Sequence, residues 1–184
     1  MTIIVGIVDK DKSIHMGGDS QTTSEYAIHL RKEPKVFFNG EFLIGYSGSV
    51  RFGQVLRFSF KPPEHPEGIS TYKYMCTLFM DTLRQCLRDG GCLRIVDEIE
   101  ESEESNFLVG YRGHLFYVDS DFQVGEYHDD YAACGHAREY ALGSLFTTGR
   151  MTDVTNRVKI ALEAANRFSA CVGGPFVIEK LQKN

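Results

Sequence analysis

Residues 2–21 read TIIVGIVDKDKSIHMGGDSQ, and this stretch decides the fold. The β-branched and apolar run from Thr2 to Val8 is typical of a buried strand. The polar residues Asp9 to Ser13 predict a turn, and Ile14 to Gly18 can return as the second strand of a hairpin. The chain is therefore expected to begin inside a β-sheet, with Asp19 at the end of the second strand.

One hairpin and two helices are predicted next along the chain. A second hairpin is predicted from Lys35 to Tyr46, because Asn39-Gly40 readily takes the positive φ angles of a tight turn. Apolar residues at helical spacing predict one helix over 50–60 and another over about 71–88. The stripe of the longer helix consists of Met75, Leu78, Phe79, Leu83 and Cys86. The acidic run from Asp97 to Glu104 is interpreted as a solvated face or loop without chemistry.

The second half of the chain repeats the order of strands followed by helices. Strands are predicted over 107–111, 115–118, 122–127 and 131–134, helices from Ala137 to Leu145 and from Val154 to Phe168, and a last strand over 176–181. Strands grouped in this way favour two mostly antiparallel sheets with helices packed outside them, an α+β fold. Residues 1–184 are expected to form a single domain.

The composition excludes several classes of protein. Of the 184 residues, 42 % are hydrophobic and 24 % are charged, which is close to the average for globular proteins. The net charge of -5 argues against binding of nucleic acid through its phosphates. No apolar run is long enough to span a membrane, and the absence of a secretory signal predicts a cytoplasmic protein. The five cysteines lack paired C-x-x-C spacing, so no metal site is predicted.

The amino terminus carries the first candidate group for chemistry. Thr2 is small enough to permit removal of Met1. The freed α-amino group has a reference pKa of about 7.7 to 8.0. Near neutral pH it can accept a proton from the Thr2 hydroxyl, so that nucleophile and base belong to one residue. Because threonine follows the initiator in many proteins, this feature alone does not establish a function.

Two charged residues and a glycine-bearing turn could complete the site. Asp19 ends the second strand and Lys35 opens the third, and charges on neighbouring strands can pair. A lysine held near the Thr2 hydroxyl would favour the alkoxide and keep the nearby amine neutral. Gly48, between a strand and a helix, could present a main-chain N–H to a developing oxyanion. Together these residues predict an acyl-transfer site.

The first fifty residues resemble the proteasome β-type and HslV-like family of N-terminal-nucleophile threonine peptidases. Four motifs carry the resemblance: Thr2-Ile3-Ile4-Val5, Gly17-Gly18-Asp19-Ser20-Gln21, Lys35-Val36 and Gly45-Tyr46-Ser47-Gly48-Ser49. Weaker similarity continues through Ala133-Cys134-Gly135, Ala161-Leu162-Glu163-Ala164-Ala165, Gly173-Gly174 and Ile178-Glu179-Lys180-Leu181. The resemblance therefore covers nearly the whole chain.

The resemblance implies a four-layer α-β-β-α sandwich and peptide-bond hydrolysis through an acyl ester on Thr2, with no cofactor. By the same resemblance, Lys35 lowers the proton affinity of the Thr2 hydroxyl and Asp19 orients Lys35. The Gly48 N–H would serve the oxyanion hole. A homo-oligomeric ring is also implied, with peptides or unfolded proteins as substrates and an ATP-dependent unfoldase as a candidate partner.

The candidate supporting residues depart from the family pattern. Cys134 stands where the family often has a serine in a Gly-Ser-Gly turn. Ser169 and Val172 stand where the family has an aspartate and a following serine before the final glycine pair. Cys134 and Ser169 are therefore the candidates for support around the Thr2 amine.

Three alternatives remain open from the sequence. The chain could be a structural ring subunit without catalytic activity, or a small-molecule amidase on the same scaffold. Cys134 and His136 could also form a thiol nucleophile and its base. Side chains two positions apart diverge on a helix and share a face only on a strand, which weakens this third alternative.

Overall fold

Two antiparallel sheets stack face to face in the computed structural model, which describes residues 2–24, 27–96, 99–102 and 105–183. The strands in chain order are β1 (Ile3–Val8), β2 (Ile14–Gly18), β3 (Gln21–Ser24), β4 (Ala27–Leu30), β5 (Val36–Asn39), β6 (Phe42–Ser47), β7 (Arg94–Val96), β8 (Ile99–Glu101), β9 (Asn106–Tyr111), β10 (His114–Val118), β11 (Val124–Glu126), β12 (Tyr131–Gly135) and β13 (Val177–Leu181). The first sheet has the order β12-β1-β2-β13 and the second the order β11-β10-β9-β6-β5. Two ribbons, β3-β4 and β7-β8, lie outside these sheets.

The helices occur in two groups along the chain. They are α1 (Val50–Gln54), α2 (Thr71–Tyr74), α3 (Met80–Asp89), α4 (Arg138–Thr147) and α5 (Val154–Phe168). A π-helical turn, Val55–Ser59, extends α1, and a second one, Met75–Phe79, joins α2 to α3. None of these described helices is both long and apolar enough to cross a membrane.

Three apolar clusters define four layers. Between the sheets, Ile4 of β1 and Met16 of β2 pack with Leu43 of β6. On the outer face of the second sheet, residues such as Phe79 and Leu83 bring the first group of helices against the strands. On the outer face of the first sheet, α4 and α5 cover β1 with residues that include Ala141, Val158 and Leu162. The layers are therefore helix, sheet, sheet and helix, and the predicted α-β-β-α sandwich is confirmed.

Both predicted N-terminal hairpins form, but the turn of the second is at Gly40-Glu41, one residue later than the predicted Asn39-Gly40 turn. In the first, Ile4 pairs with Gly18 and Val8 with Ile14. In the second, Asn39 pairs with Phe42, and Gly40 takes a φ of 59° at the first position of the two-residue turn. The hairpins place the start of β1, the end of β2 and the start of β5 at one end of the sandwich.

The acidic run is not wholly a loop, which corrects the interpretation from sequence. Asp97, Glu98, Glu103 and Glu104 lie outside the described residues. Ile99–Glu101, between them, forms β8 and pairs with β7. Glu100 accepts hydrogen bonds from Arg84 and Arg88 of α3, each at 2.7 Å. Two arginines therefore neutralise this carboxylate and hold the ribbon against the helix.

Two further expectations differ from the structure. In the stripe predicted for the longer helix, Leu78 is 40 % exposed, whereas Met75 and Phe79 are fully buried. Leu78 lies in a π-helical turn, where the helix repeat is longer than in an α-helix, so the apolar residues no longer lie on one face of the helix.

The ribbon of β3 and β4 was not predicted. Its residues Ile28 and Leu30 are each 60 % exposed, and its first strand, Gln21–Ser24, contains no apolar residue that would predict a strand.

Candidate active site

Three polar side chains meet at the end of the sandwich where the two hairpins converge. Thr2 precedes β1, Asp19 follows β2, and Lys35 precedes β5 of the other sheet. Lys35 Nζ donates hydrogen bonds to Thr2 Oγ1 and to Asp19 Oδ1, both at 2.9 Å. The exposed fractions are 3 % for Thr2, 1 % for Asp19 and 6 % for Lys35. The structure thus brings three of the residues singled out by the sequence into direct contact, in a place where water has little access.

The hairpin register fixes Asp19 beside the start of β1. The Ile3 N–H donates to Asp19 Oδ1 at 3.1 Å, and the Asp19 N–H donates to the Ile3 carbonyl at 3.3 Å. Because Ile3 directs its main-chain groups toward Asp19, Thr2 directs its own toward the opposite neighbour, β12. Ile3 packs under the helices while Ile4 packs between the sheets, so Thr2 shares the face of Ile4 and faces Lys35.

All three hydrogens of the Lys35 ammonium group are used. Besides Thr2 and Asp19, Lys35 Nζ donates to the main-chain carbonyl of Gln21 at 2.6 Å. An ammonium group has three donors and no acceptor. Its hydrogen bond to Thr2 Oγ1 therefore runs from lysine to threonine, and this direction stabilises negative charge on the threonine oxygen.

Burial works against both charges of the ion pair. It raises the pKa of the Asp19 carboxyl and lowers the pKa of the Lys35 ammonium, because each charge has lost most of its water. The attraction between the two groups opposes both shifts, and main-chain N–H groups of Ile3 and Gly173 further lower the pKa of Asp19. The net result for Lys35 is that it releases its proton at a lower pH than an exposed lysine.

The turn after β6 lies next to Thr2 and requires glycine at position 48. Gly48 has a φ of 119°, and a Cβ there would lie 2.7 Å from Ser105 Cα. Neither the backbone angle nor the space accepts a side chain. Ser47, the residue before Gly48, lies near Thr2. A Cβ built on Gly135, at the end of β12, would lie 3.0 Å from Ser47 Oγ and 2.3 Å from the Thr2 carbonyl oxygen.

The two candidate supporting residues are held by contacts of their own. Cys134 is fully buried in the cluster between the sheets, and its Sγ lies 4.0 Å from the Asn106 carbonyl oxygen. Ser169 follows α5, and its Oγ accepts a hydrogen bond from the Cys171 N–H at 3.3 Å. Among the described residues, neither side chain is hydrogen-bonded to Thr2 or Lys35. The predicted support concerns the Thr2 amine, and it stays a prediction.

The structure disfavours Cys134 as a nucleophile. Burial raises the pKa of its thiol, so the thiolate is not formed near neutral pH. His136, the base considered with it, is exposed whereas Cys134 lies between the sheets. The two side chains therefore occupy different environments and do not form a nucleophile and base pair.

Gln21 is the site residue that sequence reasoning missed. Its main-chain carbonyl accepts from Lys35, and its main-chain N–H donates to Asp19 Oδ2 at 3.2 Å. Its side chain is buried and donates to the Ala170 carbonyl at 2.9 Å. The only signal in the sequence is its position two residues after Asp19. Its bonds to the charged pair come from the main chain, so they do not depend on which residue stands there.

A small cavity of about 30 Å³ lies between β5 and α1. It is lined by Arg31, Glu33, Pro34, Phe37, Tyr46, Val50, Gly53, Gln54, Arg57 and Phe58. The Arg57 guanidinium lies 5.1 Å from the centre of the Phe37 ring, which places a cation over an aromatic wall. The volume is enough for about one water molecule.

Comparison with solved structures identifies the fold. The BPH protein of Thiobacillus denitrificans in complex with epoxomicin aligns with a TM-score of 0.80 and 22 % identity, over 98 % of this chain and 99 % of that one. HslV from Trypanosoma brucei aligns with a TM-score of 0.66 and 18 % identity, over 98 % and 99 % of the two chains. Anbu, an ancestral β-subunit from Yersinia bercovieri, aligns with a TM-score of 0.68 and 16 % identity, over 98 % and 82 %.

No model of a sequence family matches the chain. The chain nevertheless shares the proteasome-like α-β-β-α fold of these three solved structures.

Proposed function

We propose that the chain is an N-terminal threonine peptidase subunit whose residues 1–184 form one catalytic domain. The observation that carries the proposal is the position of Lys35 Nζ, 2.9 Å from both Thr2 Oγ1 and Asp19 Oδ1 in a buried pocket. A lysine in this position supports an alkoxide on the threonine, which is the requirement of an acyl-transfer nucleophile. The fold agrees with the proposal, because its solved neighbours include an HslV and a BPH bound to epoxomicin.

Met1, which lies outside the described residues, is removed once, before catalysis. The freed Thr2 amine takes the proton of the Thr2 hydroxyl as Oγ1 attacks the carbonyl carbon of the scissile amide. Lys35 stabilises the negative charge on Oγ1, and the Gly48 N–H donates to the carbonyl oxygen as it becomes an oxyanion.

The tetrahedral intermediate then collapses. The C–N bond breaks, the leaving amine takes the proton held by the Thr2 ammonium, and an acyl ester remains on Thr2. Water, activated by the same amine, attacks the ester carbon and releases the carboxylic acid. Threonine is regenerated, and protons and electrons balance without a cofactor.

The direct test combines the start of the chain with turnover of peptides. The mature protein, purified from its own host, is sequenced from its N-terminus and assayed with fluorogenic peptides. We expect a chain that begins at Thr2, hydrolyses peptides and is inhibited by epoxomicin, with a mass adduct of one inhibitor per chain. Peptide hydrolysis by a chain that keeps Met1 would contradict the mechanism. A chain that begins at Thr2 and is inactive toward peptides would favour a structural subunit or a small-molecule amidase.

The dependence of kcat/KM on pH is expected to be bell-shaped. On the acid side, activity is lost as the Thr2 amine, with a reference pKa of about 7.7 to 8.0, takes up a proton. On the basic side, activity is lost as Lys35 releases its proton. Because burial lowers the pKa of Lys35, this limb lies below the value of about 10.4 for an exposed lysine. Initial rates at low peptide concentration measure both limbs, and a plateau that continues above about pH 10.4 would contradict the role of Lys35.

The subunit assembles into a closed homo-oligomeric ring that encloses the Thr2 sites. Large apolar side chains remain exposed on the single chain, including Leu30 of the β3-β4 ribbon, Phe146 of α4 and Phe168 of α5. Such surfaces are typical of protein interfaces. Identical subunits joined head to tail close into rings when the rotation between them allows it. The ring would restrict access to peptides and unfolded proteins, with an ATP-dependent unfoldase as partner.

The mass in solution checks this assembly. Multi-angle light scattering should give a multiple of 20.8 kDa well above a dimer. Folded proteins should resist degradation by this assembly unless an unfoldase and ATP are added, whereas short peptides should be hydrolysed without either. An active monomer would contradict the enclosed chamber and favour the small-molecule amidase.

A further inference from the structure

We propose that Gln21 is a positioning residue that couples the loop after α5, residues 169–175, to the Lys35 ammonium. The inference rests on the proposed function, since it concerns the same site. Gln21 itself touches neither the Thr2 hydroxyl nor a reacting atom in the mechanism. It acts through Lys35 and Asp19, the two charged groups to which its main chain is bonded.

The inner end of the coupling is made by the main chain of Gln21. Its carbonyl accepts from Lys35 Nζ at 2.6 Å, the shortest of the three hydrogen bonds that the ammonium group donates. Its N–H donates to Asp19 Oδ2 at 3.2 Å. A shift of this one peptide segment therefore moves the acceptor of the lysine and a donor of the aspartate together.

The outer end is made by the side chain of Gln21, which is 5 % exposed. Its Nε2 donates to the Ala170 carbonyl at 2.9 Å and to Thr23 Oγ1 at 3.1 Å. Its Oε1 lies against Gly173, where an added Cβ would approach this oxygen within 2.2 Å. The amide group is thus enclosed between its own ribbon and the loop, with both of its hydrogens bonded.

The loop is also hydrogen-bonded to Ser20, the residue that follows Asp19. The Ser20 N–H donates to the Gly173 carbonyl at 3.1 Å, and Ser20 Oγ donates to the Pro175 carbonyl at 2.7 Å. Burial raises the pKa of Asp19, and the Gly173 N–H opposes this rise. The Gln21 side chain anchors the loop at Ala170, three residues before the glycine that supports Asp19. The bond from the Gln21 side chain therefore adds to the two Ser20 bonds that hold the loop beside Asp19.

Two substitutions distinguish a hydrogen-bonded anchor from simple packing. Gln21→Met keeps the length of the side chain and removes its donors, so the loop loses the anchor at every pH. Gln21→Glu is isosteric, and its protonated carboxyl group can still donate to the Ala170 carbonyl, whereas the ionised group cannot. The deficit of Gln21→Met relative to wild type should therefore be constant with pH, and that of Gln21→Glu should increase as the pH rises.

Steady-state hydrolysis of a fluorogenic peptide by the mature assembled protein provides the readout. We expect kcat of Gln21→Met to fall about tenfold to a hundredfold, with KM little changed, because a small displacement of a catalytic group has effects of this size. Thr23→Val removes the other acceptor of Gln21 Nε2 and leaves the bond to Ala170, so it serves as a matched control with activity close to that of wild type. Amide hydrogen exchange over residues 169–175 should accelerate in Gln21→Met and remain unchanged in Thr23→Val.

Three results would overturn the coupling. These are wild-type kcat in Gln21→Met, a deficit of Gln21→Glu that does not change with pH, and unchanged exchange in the loop. If Gln21→Met fails to fold, exchange in Gln21→Glu at low and high pH decides the question. If the wild-type protein hydrolyses no peptide, the proposed function fails, and the exchange measurement still tests the anchor by itself.

Discussion

Replacing Thr2 by alanine is expected to abolish peptide hydrolysis while the chain still folds and assembles. The substitution removes Oγ1, which accepts a hydrogen bond from Lys35 Nζ at 2.9 Å and is the atom that attacks the scissile carbonyl. Loss of a nucleophile of this kind costs about 10⁴-fold or more in kcat. Alanine is also small enough to permit removal of Met1, so the α-amine is still formed. Turnover of a fluorogenic peptide, with thermal melting and light scattering on the same sample, measures the effect.

Thr2→Ser is the matched control for this experiment. Serine keeps the hydroxyl group and the amine and lacks only the γ-methyl group, so most of the activity should remain. Epoxomicin should form its adduct with Thr2→Ser and not with Thr2→Ala. Full activity in Thr2→Ala would end the proposal, and Cys134 would then be the first alternative nucleophile to test, despite its burial.

Much of the fold could be predicted because its signals are local. The Asn39-Gly40 pair marks a tight turn, and in the structure Gly40 takes a positive φ angle. Alternating or continuous apolar runs on both sides of such turns specify hairpins. The order of strands and helices then favours stacked antiparallel sheets covered by helices.

The elements that were missed or misjudged depend on contacts that residue type does not reveal. The β3-β4 ribbon was missed because β3, Gln21–Ser24, has no apolar residue and β4, Ala27–Leu30, is only four residues long. Glu100 belongs to a strand within an acidic run because Arg84 and Arg88 bind it from another part of the chain. Long-range pairing of this kind overrides the local expectation of a solvated loop.

The candidate site was predictable to the extent that it uses side chains in recognisable order. Thr2, Asp19 and Lys35 were found from their positions at strand ends and from the family resemblance, and the structure brings them together. Gln21 was missed because its bonds to the charged pair come from the main chain, which any residue supplies. Cys134 lies in the apolar cluster between the sheets, and its thiol is directed to the Asn106 carbonyl.

Replacing Lys35 by alanine is expected to lower kcat by about 10² to 10⁴-fold, the range for loss of one proton-transfer or electrostatic group. Without the ammonium group, Thr2 Oγ1 has lost the donor that stabilises its negative charge. Lys35→Arg should rescue little of this activity. The guanidinium is larger and planar and stays protonated, so it cannot replace a compact ammonium bonded to three acceptors in a buried pocket. Wild-type rates in Lys35→Ala would show that the site is assigned wrongly.

The loss in Lys35→Ala has a structural part, which a second substitution separates from the catalytic part. Removing Lys35 leaves the Asp19 carboxylate buried without its cation, and breaking a buried ion pair in this way costs about 3 to 5 kcal/mol of stability. Asp19→Asn in the same chain removes the unpaired charge, so Lys35→Ala with Asp19→Asn should recover most of the melting temperature. Activity should not recover with it, because Thr2 Oγ1 still lacks its donor. Recovery of both together would mean that Lys35 acts only through stability, whereas recovery of stability alone assigns it to the chemistry.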